Sequence, residues 1–134
     1  MNSSNHVLRI SILWILIIMG MLFHQFFSLH NLRFGLDVVK QGYDAVPDME
    51  MMKRLGLYLL PTVYIAGILF VQTRLVRLLT FIASLFYTAF HSWHFIDELG
   101  KMKDWVQWVL LTLLVVYCVL LNLASYKWYK EEKA

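Results

Sequence analysis

The chain has 134 residues, of which 60% are hydrophobic and 16% are charged, and its formal net charge is +3. Because a soluble domain is roughly 45–50% apolar, a soluble fold of this length would leave much apolar surface in water. The composition therefore favours a domain embedded in a membrane. Basic residues flank the apolar stretches, which argues against a nucleic-acid partner. The single cysteine, Cys118, excludes intramolecular dithiol redox chemistry.

Four stretches approach the roughly 20 apolar residues that cross a bilayer. In chain order they cover residues 10–29, 55–71, 75–96 and 106–126. None has the polar–apolar alternation of barrel strands, and a helix satisfies its own backbone hydrogen bonds in lipid. The sequence therefore predicts one all-α domain, residues 1–134, which is an integral membrane bundle of four transmembrane helices.

The first stretch is predicted to remain as a membrane anchor. Arg9 precedes the apolar run ISILWILIIMGMLF, as in a signal peptide, but no small-residue cleavage pattern follows it. The extramembrane loop after it, residues 30–54, is longer than most connections in helix bundles. Within this loop LRFGLDVVKQGYDAV can form a short interfacial helix. The segment PDMEMMKRL is typical of a helix start, with Asp48 as its cap.

An even number of helices places both termini at the same face of the membrane. Lys and Arg divide evenly between the two faces, so the positive-inside rule gives no preference. Acidic residues concentrate at the face away from the termini. On that ground we expect the plasma (inner) membrane, with both termini in the cytoplasm.

The third stretch carries a polar stripe on an otherwise apolar helix. Alternate steps of four and three residues stay on one helix face. Counted back from Glu98, these steps meet only side chains that can form hydrogen bonds: His94, His91, Tyr87, Ser84, Thr80 and Arg77. Because a polar group exposed to lipid is costly, we expect the stripe to face the bundle interior.

One histidine of the first helix is predicted to lie at the same depth as the histidines of this stripe. His24 follows Arg9 by fifteen residues, and His91 follows Arg77 by fourteen. At about 1.5 Å per residue, each lies about 21–23 Å from its basic anchor. Since the first and third helices run in the same direction, His24, His91 and His94 fall near the non-cytoplasmic surface. The sequence leaves open whether the two helices touch there.

Imidazole is a common ligand of zinc, copper and haem iron, and carboxylates suit harder metals. We therefore predict a metal or haem site for redox or catalytic work. Its expected ligands are His24, His91, His94 and Glu98. Haem would be held between His24 and one histidine of the third helix. Tyr87 and Asp97 are expected to support the ligands through hydrogen bonds, and Arg77, at the other end, to contact lipid headgroups.

A purely structural interpretation of these residues stays open. Histidine, tryptophan and acidic residues are common where a helix leaves the bilayer, and His6 and His30 are expected to be exposed loop residues. Two other classes of function also remain. One is an accessory or assembly subunit of a larger membrane complex, or a homo-oligomer, without a cofactor. The other is a small transporter or lipid-handling protein, whose second helix Pro61 and Gly67 would loosen.

The layout resembles that of small four-helix DoxX-like membrane proteins. LFHQFFSL falls near the end of the first helix, and TRLVRLLTFIASLFYTAFH fills the third. The resemblance is one of layout and composition. It implies the four-helix fold and assigns no role to any residue.

Overall fold

The computed structural model describes residues 3–34, 45–100 and 105–131, and every regular element within them is helical. The long helices are α1 (Ser3–His30), α2 (Asp48–Phe70), α3 (Arg74–Glu98) and α4 (Trp105–Lys130), and a short 3₁₀ helix (Asn31–Phe34) follows α1. All four long helices have the length and hydropathy needed to cross a membrane. The predicted all-α class with four candidate membrane helices is therefore confirmed.

Two helices begin before their apolar stretches, α2 at the helix start that PDMEMMKRL predicted. α1 starts at Ser3 and α2 at Asp48, because helical hydrogen bonding continues through polar residues that an apolar stretch does not include. Asp48 is not the cap of α2. Pro47 occupies that position, and its carbonyl accepts hydrogen bonds from the amides of Glu50 (2.9 Å) and Met51 (3.2 Å). Most of the predicted interfacial helix, residues 35–44, lies outside the described residues.

Both ends of α3 are fixed by local hydrogen bonds. The Thr73 side chain accepts from the Val76 amide (3.4 Å) at the start of the helix, which is the usual role of a threonine N-cap. At the other end the Leu99 amide donates to the Phe95 and Ile96 carbonyls, both at 3.1 Å. Gly100 follows with φ +100°, a left-handed conformation that glycine adopts without strain.

The buried residues of α4 repeat at alternate steps of four and three, and those of α3 do the same apart from Ala83, which adjoins Ser84. This is the spacing of knobs-into-holes packing. On α4 they are Gln107, Leu111, Leu114, Cys118, Leu121, Ser125 and Trp128. On α3 they are Arg77, Thr80, Ala83, Ser84, Tyr87 and His91. The predicted polar stripe of α3 therefore does face the bundle interior, and His94 and Glu98 at its end are half-buried.

The four helices form a ring in which α1 and α3 are diagonal. α1 packs along α4 and α2, and α3 packs along α4 but touches α2 only sparsely. Trp14 fills the centre, with its ring 4.9 Å from that of Tyr87 and stacked 5.8 Å from that of Tyr64. α4 packs tightly against α1 at Gly20, where an added Cβ would lie 2.6 Å from the Leu114 Cδ1 atom.

Arg77 ties together the end of the bundle that holds the termini. Its guanidinium donates to the backbone carbonyls of Trp128 (3.3 Å) and Glu131 (2.9 Å), and to that of Gln72 (3.3 Å). It also lies 5.2 Å from the centre of the Trp128 ring. Arginine donors satisfy carbonyls that a helix C-terminus leaves without partners. This structural role accounts for Arg77 without a lipid headgroup.

Two histidines outside the predicted site have helical positions. His6 is buried in the first turns of α1, with its Nε2 atom 3.7 Å from a carboxylate oxygen of Glu131. His30 is the last residue of α1, is half-buried, and its ring contacts Phe27 and Phe34. The prediction that both are exposed loop residues is wrong, because α1 extends beyond its apolar stretch and packs along α4.

Candidate functional site

A cavity of about 240 Å³ lies toward the end of the bundle opposite the termini. Three histidines line it: His24 from α1, and His91 and His94 from α3. α2 contributes Glu50 and Arg54, and leucine side chains of α4 close one wall. Because all four helices contribute, the cavity exists only in the assembled bundle. We call it the histidine chamber.

His24 and His94 meet across the diagonal of the bundle. Their ring centroids are 5.5 Å apart and the rings are nearly perpendicular, at 82°. The backbones of α1 and α3 need not touch for this contact, because both side chains extend into the space between the helices. The prediction that these two histidines lie at the same depth is therefore confirmed.

Gln107 of α4 fixes the orientation of the His24 ring. The His24 Nδ1 atom lies 2.5 Å from the Gln107 Oε1 atom, and the Gln107 Nε2 atom donates to the His24 carbonyl at 3.4 Å. Since an amide oxygen only accepts hydrogen bonds, Nδ1 carries the proton. The lone pair of the neutral ring then lies on Nε2, which is the nitrogen left to bind a ligand.

His91 is 3% exposed, and neither of its ring nitrogens has a hydrogen-bond partner. Its ring packs against those of Tyr87 (5.8 Å) and Phe90 (5.2 Å). A buried polar atom without a partner loses its hydration with no compensation. Within the described part of the chain, His91 is the residue that contributes two such side-chain atoms. An unpartnered imidazole on the wall of a cavity indicates a place for a ligand.

Tyr87 has a different partner from the one predicted. Its hydroxyl donates to the Leu57 carbonyl of α2 at 2.6 Å, and it meets His91 only through ring contact. The Leu57 carbonyl is available because Pro61, four residues later in α2, has no N–H to donate to it. The hydrogen bond therefore joins α2 to α3 at a point where the proline interrupts the helical pattern.

The two predicted carboxylates do not line the chamber. Glu98 is half-buried one turn beyond His94, and Asp97 is exposed. The carboxylate in the chamber wall is that of Glu50, which also forms an ion pair with Lys53 at 3.2 Å. Across residues 3–34, 45–100 and 105–131, no three His, Cys, Asp or Glu side chains form a group that could hold a metal ion as they stand.

Sequence reasoning missed three residues of this site: Glu50, Arg54 and Gln107. Gln107 had a usable signal, since it is a polar residue within an apolar run and lies on the same helix face as the buried leucines of α4. Glu50 and Arg54 gave none. They fall in residues 30–54, which were counted as extramembrane although PDMEMMKRL predicted a helix start there, and they reach the chamber because α2 begins at Asp48.

An apolar groove of about 600 Å³ opens beside the chamber, between α2 and α3. Its walls are mostly aliphatic and aromatic: Leu57, Leu59, Leu60, Val63, Phe86, Tyr87 and Phe90. Basic residues Lys53 and Arg54 lie at one end. Glu50, Arg54, Leu57 and Phe90 line both the groove and the chamber, so the two spaces are adjacent. We call this space the α2–α3 groove.

Comparisons of the chain with protein families, with characterised proteins and with solved structures found no match.

Proposed function

We propose that this chain is an integral membrane protein that binds one transition-metal ion, zinc or copper, in the histidine chamber. The observation that carries the proposal is the contact between His24 and His94. Zn–N bonds of about 2.0–2.1 Å in a tetrahedral site place the centroids of two ligand rings about 5 Å apart. The observed separation of the His24 and His94 ring centroids is 5.5 Å, which is close to that value.

The hydrogen bond from His24 to Gln107 supports this proposal. A metal-binding histidine usually donates its second ring N–H to an oxygen acceptor, which fixes the tautomer and the direction of the other nitrogen. Gln107 supplies such an acceptor for Nδ1. His24 is thereby prepared to bind a metal ion through Nε2.

His91 is the best candidate for a third ligand, since both of its nitrogens lack partners and it lines the same cavity. The three imidazoles do not yet form a coordination group, so the ion would draw His91 into place by rotation of its side chain. Three protein ligands leave one position open, as in catalytic zinc sites. Arg54 in the chamber wall favours an anionic group at that position.

A metal ion fits the chamber better than haem or an oxygen-ligated iron does. The chamber holds about 240 Å³, less than the roughly 300–1,000 Å³ of pockets that enclose drug-sized ligands. The two predicted carboxylate positions lie outside its lining, and histidine nitrogens suit zinc and copper. We therefore place zinc and copper ahead of iron and haem.

The proposal includes a location in the plasma (inner) membrane with both termini in the cytoplasm. It is supported by the four helices of sufficient length and hydropathy and by the acidic residues near the opposite end. The histidine chamber would then lie toward the non-cytoplasmic surface.

Cysteine labelling on intact cells tests this orientation. Single cysteines are introduced at residue 2 and at residue 102 in a Cys118→Ala background, and their reactivity toward a membrane-impermeant maleimide is measured. Labelling at residue 102 alone is the expected result. Labelling at residue 2 alone would reverse the orientation.

Metal analysis of protein purified in mild detergent without chelator tests the metal site. We expect about one zinc or copper ion per chain in the unaltered protein and less than a tenth of that in a His24→Ala/His94→Ala variant. Cobalt(II) substitution should give the visible absorption bands of a tetrahedral site. His30→Ala is the matched control, because His30 lies at the same end of the bundle but outside the chamber lining.

Two outcomes contradict the metal proposal. One is no bound metal in the unaltered protein after incubation with zinc or copper(I). The other is equal metal loss in the His30→Ala control. Circular dichroism and gel filtration of each variant separate loss of metal from loss of fold.

The accessory-subunit alternative is favoured by the exposure of α2. This helix buries 11% of its apolar segment, against 28–44% for the other three helices. A partner helix can pack against that face. A stoichiometric partner retained on mild extraction, with no metal on the isolated chain, would favour this alternative over the metal site.

A further inference from the structure

The α2–α3 groove has the shape of a site for one extended hydrocarbon chain. Its long walls are leucine, valine and aromatic side chains, and it is open along the outer surface of the bundle. The hydroxyl of Tyr87, one of the lining residues, is already hydrogen-bonded to the Leu57 carbonyl. A chain lying in the groove therefore meets apolar surface without leaving a polar group unpaired.

The length of the groove matches one leaflet of a bilayer. On α2 its lining extends from Glu50 to Val63, which is about 20 Å at about 1.5 Å per residue. Half of a hydrocarbon core of about 30 Å is about 15 Å. The groove thus accommodates an acyl chain of the leaflet nearest to the chamber and the first atoms of a headgroup.

The charge at the chamber end selects the kind of headgroup. Lys53 and Arg54 both line that end, with Glu50 beside them. Glu50 and Lys53 form an ion pair, so the charged residues that line this end of the groove sum to one positive charge, that of the Arg54 guanidinium. A guanidinium binds phosphate through two parallel hydrogen bonds. An anionic lipid phosphate complements this end, and a headgroup with its own cation does so less well.

We propose that the α2–α3 groove binds one acyl chain of an anionic phospholipid, with the lipid phosphate held by Arg54 at the mouth of the histidine chamber. This inference rests on the membrane location proposed above but not on the metal. Because Arg54 and Glu50 line both spaces, the bound headgroup would also close the entrance to the chamber.

Lipid retention measured by native mass spectrometry tests the site. Detergent-purified protein is titrated separately with phosphatidylglycerol and with phosphatidylcholine of the same acyl chains. We expect one tightly held phosphatidylglycerol per chain and binding of phosphatidylcholine at least about fivefold weaker, the contribution of one basic side chain near a lipid surface. Arg54→Gln should abolish this preference. Arg74→Gln, a change at an exposed arginine of the opposite end, should preserve it.

A second pair of variants tests the acyl chain. Val63→Trp fills the groove and should lower retention of both lipids, whereas Leu85→Trp, on the exposed surface of α3 outside the groove, should not. Equal retention of the two lipids by the unaltered protein, or an unchanged preference in Arg54→Gln, would overturn the proposal and leave only non-specific boundary lipid. A protein dimer that excludes lipid would overturn it as well. Metal content, measured on the same samples, reports on the metal proposal separately.

Discussion

The two ends of the bundle use buried polar groups in different ways. At the end with the termini, Arg77 donates to three backbone carbonyls and His6 lies beside Glu131. At the other end, three histidines surround a cavity, and both nitrogens of His91 lack partners. Both sets belong to helix faces that the repeat of three and four residues turns inward.

This difference separates structure from function within a single stripe of α3. Arg77 and His91 lie on the same helix face, fourteen residues apart, and the sequence pattern treats them alike. Arg77 donates three hydrogen bonds to backbone carbonyls within the chain, which gives it a structural role. Neither ring nitrogen of His91 has a hydrogen-bond partner, which is the reason that the proposed function gives it a ligand. The comparison fails if a change at Arg77 alters ligand binding in the histidine chamber, or if a change in the chamber lowers stability instead of ligand binding.

The largest effect is expected from Arg77→Leu. The change removes all three hydrogen bonds to carbonyls, and we expect the free energy of unfolding to fall by about 3 kcal/mol or more, since bonds to charged groups contribute about 1.5–3 kcal/mol each. Unfolding in mixed detergent micelles measures it, with Arg74→Leu as the exposed control. Metal content of the folded fraction should stay the same. Unchanged stability would contradict the structural role of Arg77.

Gln107→Leu is expected to weaken metal binding and to leave the bundle folded. Loss of the acceptor for His24 Nδ1 should weaken metal binding by about 10–100-fold, while leucine suits the apolar face of α4 and keeps the bundle folded. Competition with a zinc-sensitive dye measures the affinity. The control is Asn122→Leu, which removes a hydrogen bond of 2.7 Å to Thr88 elsewhere on α4. If Gln107→Leu binds metal as tightly as Asn122→Leu does, Gln107 does not orient a ligand.

The bond between Tyr87 and Leu57 can be tested with a double-mutant cycle. Tyr87→Phe leaves the Leu57 carbonyl without a partner and should lower the free energy of unfolding by about 1–3 kcal/mol. In a Pro61→Ala background the restored backbone N–H at position 61 can satisfy that carbonyl, so the same change should have a smaller effect. Denaturation of the four proteins in micelles gives the coupling energy. Equal effects in the two backgrounds would disprove the link to Pro61.

The smallest effect is expected from His6→Leu. The His6–Glu131 contact is 3.7 Å long, and the Glu131 side chain is partly exposed. Exposed or partly exposed ion pairs contribute about 0–1 kcal/mol, so the free energy of unfolding should change by less than about 1 kcal/mol. Glu131→Gln, which retains the carbonyl that binds Arg77, should match it. A larger loss would show that the end with the termini depends on this contact as well as on Arg77.

Hydropathy and periodicity predicted the helices and the inward face of α3, because apolar length and a repeat of three and four residues depend on the local chain alone. They placed His24 and His94 at one depth for the same reason. Helix starts were less accurate. α2 begins at Asp48, where PDMEMMKRL predicted a helix start, but residues 30–54 were counted as lying outside the bundle, and this hid Glu50 and Arg54 from the predicted site.

The sequence by itself determined four apolar helices, both termini at one end, and a polar stripe with histidines near the other end. Only the tertiary structure decided which polar groups find partners. Arg77 reaches the end of α4, Gln107 holds His24, Tyr87 takes the carbonyl that Pro61 leaves unpaired, and His91 keeps both nitrogens unpartnered. The physical reason is that these contacts join residues on different helices, whose positions are set by the packing of the whole bundle.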